Sequence, residues 1–308
     1  MPLGTRVSLA PEVPQSRGSL CISIDLEGLW GTWDRVTPRE ATKCGALERL
    51  VVLRLLELFD RYRVPATWAI VGRLFDASRG FDGLLGPRDG WYLPDLVDQI
   101  RNRRTAHEIG SHSYGHVYFH QIEEEAASED LVRAADLHRR HGLSFDSFVF
   151  PRNGVSKLDA LRRAGIRVFR SVDAGILKIL DDVAPRLRPL ANLGEKILGL
   201  PAPLVLPRVQ RDHGLVELPS STLLLGRQGV RRTIRPSVMR QKLVRATQRA
   251  AEQKKVFHLW FHPSNFYDET DTQLAILESA LAEAAALRDK GNFAVLRMGD
   301  FAAAASVS

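Results

Sequence analysis

Five residues of this sequence have the types and settings for hydrolytic chemistry: Asp25, Glu27, His112, His116 and His262. His112 and His116 stand four apart in Ser111-His112-Ser113-Tyr114-Gly115-His116, the spacing of paired metal ligands on one helical turn or in a tight loop. Ser111 and Gly115 favour a loop directly after a strand. Alone, the pair reads more readily as two surface histidines, because short motifs recur by chance. The acids change that reading. In Leu20 to Glu27, Leu20, Ile22, Ile24 and Leu26 alternate with Cys21, Ser23, Asp25 and Glu27, the period of a strand. One face is wholly aliphatic, the other ends in two carboxylates, and Gly28 follows at once. An edge strand entering an acidic turn could look like this, but so does a barrel strand presenting catalytic groups at its carboxyl end.

Two imidazoles and a carboxylate form a catalytic zinc set with a fourth position open to water. Such a metal lowers the water's pKa from about 15.7 toward about 7 and polarises a carbonyl oxygen. The second carboxylate can accept the proton released. In Val256 to His262, Phe257, Leu259 and Phe261 share one face, while His258, Trp260 and His262 share the other. His258 reads as a satisfied structural histidine. His262, last in the strand and just ahead of Pro263, reads as a general acid that protonates a leaving amine.

Elements that would carry these residues follow in regular order. Residues 1 to 18 read as a flexible tail and 19 to 308 as a single domain. Apolar spacing predicts helices over 46–63, 93–103, 123–141, 157–164, 236–253 and 272–289. Strands are predicted over 66–71, 107–111, 147–150, 166–170, 215–218, 256–261 and 293–296, with a short alanine-rich helix behind the last. Strand-helix-strand units of this length imply parallel strands with right-handed crossovers, hence an α/β sheet of barrel type. Residues 174–212, apolar and rich in Pro, interrupt the rhythm and read as an insertion: a lid, a substrate wall or an oligomer contact.

The composition suits an ordinary globular chain of 308 residues, 44% hydrophobic and 26% charged. No apolar run is long enough for a membrane span and the first nineteen residues lack a secretory segment, so a cytoplasmic protein is expected. Cys21 and Cys44 are too few for a disulfide framework. The net charge of +7 is carried by scattered arginines, which read as a solvated surface and secondarily as attraction to a phosphate-bearing substrate. No nucleic-acid motif is present.

Taken in order, Ser-Ile-Asp-Leu-Glu with its following Trp-Gly, His-Ser-Tyr-Gly-His, Phe-Pro-Arg-Asn and Leu-Trp-Phe-His-Pro resemble the polysaccharide deacetylases with NodB homology, carbohydrate esterase family 4. The likeness spans residues 20 to 301 and is nearest to the branch found among O-antigen and surface-glycan genes. It implies a distorted (β/α) barrel with fewer than eight regular units, a divalent metal, usually Zn2+, and hydrolysis of an N-acyl, usually N-acetyl, group on an amino sugar. By the same resemblance Asp25 is the catalytic base, Glu27, His112 and His116 bind the metal, Arg152 holds the base in place and His262 is the acid.

Three features depart from the common family pattern. The acids are separated by Leu26 where adjacent aspartates are usual, although the branch named shares the Asp-x-Glu order. The aspartate that ordinarily supports the acid histidine is not recognisable, and Asp173 is the substitute. The arginine follows Pro151 where the family has it before a proline. Trp30, Trp33, Trp91 and Tyr114 offer flat faces for sugar rings, with Trp30 or Trp33 favoured at the site. Asn153 joins the substrate-binding set, while Trp68 and Trp260 read as core. Rival readings are a sugar deformylase, a non-catalytic sugar-binding module, and a metal-dependent isomerase or lyase.

Overall fold

The computed structural model describes residues 12–77, 88–172 and 201–306. Its central strand is β1 (Gly18–Leu26), every residue of which is buried. The alternation read from the sequence therefore divides two interiors. Leu20, Ile22, Ile24 and Leu26 join the apolar layer beneath the helices, whereas Cys21 joins a second cluster inside the sheet with Ala69, Val168, Leu218, Met298 and Phe301.

Helix α1 (Pro38–Tyr62) begins eight residues before the predicted start. The apolar spacing does not announce this first part; the cap does. Thr37 accepts from the Glu40 backbone N–H, Glu40 reaches back to Thr37, and Pro38 occupies the first helical turn. The remaining crossovers are β2 (Thr67–Ile70), α2 (Pro94–Arg101), β3 (Glu108–Ser111), α3 (Glu124–Arg140), β4 (Ser147–Val149), α4 (Leu158–Arg163) and β5 (Val168–Val172). Then come β6 (Arg208–Gln210), β7 (Leu215–Ser220), β8 (Thr222–Leu223), α5 (Pro236–Gln253), β9 (Val256–Phe261), α6 (Thr270–Asp289) and β10 (Phe293–Leu296).

Among the described residues the sheet order is β6-β7-β5-β4-β3-β2-β1-β9-β8, with β10 also paired to β1. All pairs are parallel except β6 with β7. The ladder is open, which matches the distorted barrel expected. Its two ends are nevertheless one stretch of chain: β7 pairs with β5, and two residues later β8 pairs with β9. Ser221 stitches the turn, donating its N–H to the His258 carbonyl at 2.8 Å and accepting the His258 N–H on Oγ at 3.0 Å.

Two stretches that the sequence sets apart are joined to the sheet where they are described; residues 1–11 of the first lie outside the described residues. Glu12 forms a bridge with Arg208, and the Val13 N–H donates to the Pro207 carbonyl at 2.7 Å, so residues 12 to 18 run onto the sheet edge and into β1. Within the expected insertion, residues 208–210 are a sheet strand and Val205 bridges Val256. Short strands in a Pro-rich stretch carry too little alternation to be read from sequence. The part of the insertion up to residue 200, and Asp173, lie outside the described residues. No described helix is long and apolar enough to cross a membrane.

Candidate metal centre

Parallel strands bring their carboxyl ends to one rim, and the inward alternation decides which side chains meet there. On β1 the inward positions run Cys21, Ser23, Asp25, then Glu27 just past the strand. Gly28 turns the chain away at φ +52°, and a side chain there would meet the Gly90 carbonyl at 2.5 Å. From β3 come His112 and, through a tight loop, His116. From β9 comes His262. The loop between His112 and His116 holds Ser113 and His116 at positive φ, 65° and 56°. Asp130 of α3 fastens it, accepting the Tyr114 and Gly115 backbone N–H groups at 2.8 Å each.

Glu27 Oε1 is the hub. His112 Nε2 lies 3.1 Å from it, His262 Nε2 3.3 Å and His116 Nε2 3.4 Å. Ligand atoms of Glu27, His112 and His116 fall within 4.8 Å of one another, as do those of Asp25, Glu27 and His262. His112 is oriented by the Val149 carbonyl, 2.8 Å from Nδ1, which leaves Nε2 to face the centre. His116 is buried, and neither of its ring nitrogens makes a hydrogen bond. An imidazole buried without partners beside a carboxylate is costly unless a cation completes it. The donor set of two nitrogens and one carboxylate suits a divalent transition metal such as zinc.

Behind the hub lies a charged pair that the sequence reading assigned to another residue. Arg170, fully buried in β5, donates Nη1 to Asp25 Oδ1 at 2.6 Å and Nη2 to Asp25 Oδ2 at 2.7 Å. It also donates to Ser23 Oγ at 3.0 Å and to Asn153 Oδ1 at 3.0 Å, and stacks over the Trp260 ring at 4.3 Å. Arg152 does not hold Asp25. It follows Pro151 at φ 57°, a left-handed turn that directs its guanidinium to the outer rim, where it meets Gly31 and Tyr118. The signal for Arg170 was present: Val168, Arg170 and Val172 alternate on one face, and an arginine in mid-strand of a parallel sheet needs a buried acid.

The electrostatics follow from these contacts. Burial pushes the Asp25 carboxyl up, but Arg170, aided by His112 and His262, outweighs it and holds the group below the usual carboxylate range. Burial likewise opposes ionisation of Glu27, yet His262, His112 and His116 hold it well below its ordinary value. Burial lowers His116, with Glu27 pulling the other way and the charges of His112 and Arg152 adding to the lowering. Burial also lowers His262, but Glu27 and Asp25 raise it, to about 9. His258 is the structural histidine expected. It is buried and held neutral, at about 3, first by burial and then by Arg170, with Ser23 Oγ 2.9 Å and the Pro219 carbonyl 3.0 Å away.

The aromatic expectations divide. Trp30 is buried, donating to the Trp91 carbonyl at 2.9 Å and packing edge-on against that buried ring at 4.8 Å. Tyr114 is buried with its hydroxyl on Asp76 at 2.8 Å. Neither presents a face to a sugar, because each spends its polar edge beneath the rim. Trp33, 51% exposed, is the one of the four with its ring open to solvent. Asn153 faces inward and accepts from Arg170, the partner of Asp25. Trp260, read as core, is buried, and its ring also lies 5.6 Å from that of His262.

Fold and rim together define an open, distorted α/β barrel of mostly parallel strands, with a histidine–carboxylate cluster whose donor atoms could hold a metal ion. Residues 38–169 match the family model described as polysaccharide deacetylase, bearing out the resemblance drawn from the motifs. That stretch includes His112, His116, Arg152 and Asn153; Asp25, Glu27 and His262 lie on either side of it. A Mycobacterium smegmatis protein assigned as a polysaccharide deacetylase superposes with a TM-score of 0.67 at 17% identity, over 97% of this chain and 96% of its own. PuuE allantoinase superposes with a TM-score of 0.63 at 14% identity, over 96% and 93%. At these identities the likeness is one of fold. No curated protein matches the sequence.

Proposed function

We propose that this protein is a metal-dependent carbohydrate N-deacetylase, removing an acyl group, in the first instance acetyl, from an amino sugar. The sugar would be nucleotide- or lipid-linked, part of a glycan, or an amino-sugar natural-product intermediate. The observation that carries the reading is the convergence of three imidazole Nε2 atoms on Glu27 Oε1 at 3.1–3.4 Å, with the ionised Asp25–Arg170 pair directly behind. Membership of the matched segment in the polysaccharide deacetylase model supports the substrate class.

Glu27, His112 and His116 would hold the cation. When bound, such a cation supplies polarisation of the acyl carbonyl and acidification of water. Asp25 accepts the proton of the attacking water. Its ionised form is secured by the two Arg170 hydrogen bonds, and those bonds also fix its orientation, so it is both available and aimed. His262 Nε2, 3.7 Å from Asp25 Oδ2, stands on the same side of the centre and delivers a proton to the departing nitrogen. The two neighbouring carboxylates favour its protonated state, which is what an acid needs before the C–N bond breaks. Ser23 and Asn153 keep Arg170 from swinging.

Incubation of metal-loaded protein with N-acetyl and N-formyl amino sugars, followed by mass spectrometry, tests this. Loss of 42 mass units as acetate, abolished in Asp25→Asn, is expected (about 28 would mark a formyl group). Tight binding with no acyl release, or a product of unchanged mass, overturns it.

A further inference from the structure

With Arg170 on the base, Arg152 is left without the task its motif suggested, and its surroundings point to another. It lies in the turn after β4, where both Arg152 and Asn153 adopt left-handed backbone, φ 57° and 54°. That conformation is unfavourable for residues with a side chain and is often retained at binding sites. It has a clear geometric effect. Asn153 points inward onto Arg170, and Arg152 points outward onto the rim of the metal centre.

The contacts of Arg152 are loose. Nη2 donates to the Gly31 carbonyl at 3.4 Å and to Tyr118 Oη at 3.3 Å, and Asp34 Oδ1 is 3.7 Å away. Its guanidinium carbon sits 5.4 Å from the Tyr118 ring centroid, and its side chain is 35% exposed. Arg170, by contrast, is held tightly, with bonds of 2.6 and 2.7 Å to Asp25 and of 3.0 Å each to Ser23 and Asn153. The rim arginine is also next to the chemistry. Gly31, whose carbonyl it touches, packs on Glu27 so closely that an added Cβ would lie 1.6 Å from Glu27 Oε2. The ring of Tyr118 stands edge-on to that of His116 at 5.9 Å.

We propose that Arg152 is a specificity determinant that binds an anionic oxygen group, phosphate or carboxylate, carried by the acylated sugar beside the amide. A guanidinium offers a planar fork to such a group. Here one face lies on Tyr118, the weak partner Asp34 is displaceable, and the centre itself is one residue away. An uncharged sugar would find the same metal centre and forgo this contact. The proposal rests on the deacetylase reading only for where the sugar sits.

Binding and turnover, measured separately on metal-loaded protein, test it. N-acetylglucosamine 1-phosphate, N-acetylmuramic acid and N-acetylglucosamine serve as the phosphate, carboxylate and neutral probes. The wild type is expected to bind at least one anionic sugar about tenfold or more tighter than the neutral one, the size of one charge-assisted hydrogen bond. The two anionic probes show which group is recognised. Arg152→Gln should collapse that preference to within about threefold, Arg152→Lys should restore part of it, and Asp34→Asn should enlarge it. Equal affinity for all three sugars, or a preference that Arg152→Gln leaves intact, overturns the proposal. Acetate release with no anion preference overturns it while leaving the deacetylase reading standing. Arg152-dependent anion binding without acyl release supports it and removes that reading instead.

Discussion

Replacing Arg170 with Gln separates the two arginines most sharply. Arg170 and Asp25 are both buried and joined by two short bonds. Removing one partner of such a pair strands a buried charge and costs about 3–5 kcal/mol. In a chain of this size that is a fall in Tm of roughly 6–10 °C, at about 2 °C per kcal/mol. Arg152→Gln breaks only long, half-exposed contacts and should cost about 1 kcal/mol or less. The pH dependence is equally specific. Asp25 has a depressed folded pKa, so its stabilising contribution is present above the ordinary carboxylate value and is lost as pH falls through the folded value. In Arg170→Gln burial acts on Asp25 with its main opponent gone, and the carboxyl rises. The gap between variant and wild type should therefore be widest at neutral pH and narrow in acid, where a proton neutralises the stranded carboxylate. Asp25→Asn added to Arg170→Gln should recover part of the loss. Urea melts of the four proteins at pH 7 and in mild acid check this. A destabilisation by Arg152→Gln as large as that of Arg170→Gln, or a gap that widens in acid, would refute the pairing of Arg170 with Asp25 as the buried charge pair.

Other consequences are as definite. Gly31→Ala forces the Glu27 carboxylate aside, since the new Cβ would fall on Oε2; zinc affinity measured by competition should drop at least about tenfold, in line with the cost of disturbing a metal site's support. Chelator treatment should lower Tm in the wild type but barely move it in His116→Ala, because the stabilisation comes from ligand binding to the native state. In chelator-treated protein the raised pKa of His262, about 9, gives stability that is complete below the unfolded value of about 6.5 and is lost as pH climbs to about 9; His262→Gln should flatten that decline in melts from pH 6 to 10. Asp130→Ala leaves the Tyr114 and Gly115 N–H groups without their acceptor, so it should weaken zinc binding although no ligand is touched.

Much of this was legible in the sequence, for reasons that vary with the element. Strands β1 and β9 declare themselves because period-two alternation segregates aliphatic residues from chemistry-bearing ones, and the inward polar faces converge in a barrel. That logic brought Asp25, Glu27 and His262 together before any coordinates. Helix α1 was clipped at its start because Thr37 and Glu40 mark it by capping, not by apolar spacing. Strand β6 was hidden in a Pro-rich stretch, where three residues offer no period to read. Arg152 was misplaced because a left-handed turn after Pro151 reverses the side on which a side chain emerges, and no linear motif records that reversal. The burial of Trp260 is legible in its apolar strand, whereas the Arg170 guanidinium across its ring comes from a distant strand and is not.

The claim on which the account rests is that Glu27, His112 and His116 hold one cation. Anomalous diffraction at the zinc edge from crystals of zinc-loaded protein tests it most directly. The account predicts a single strong peak bonded to a Glu27 carboxylate oxygen and to Nε2 of His112 and His116, with Asp25 still paired to Arg170 beside it. A peak elsewhere, or an empty centre in crystals of protein that releases acetate at full rate, would contradict it.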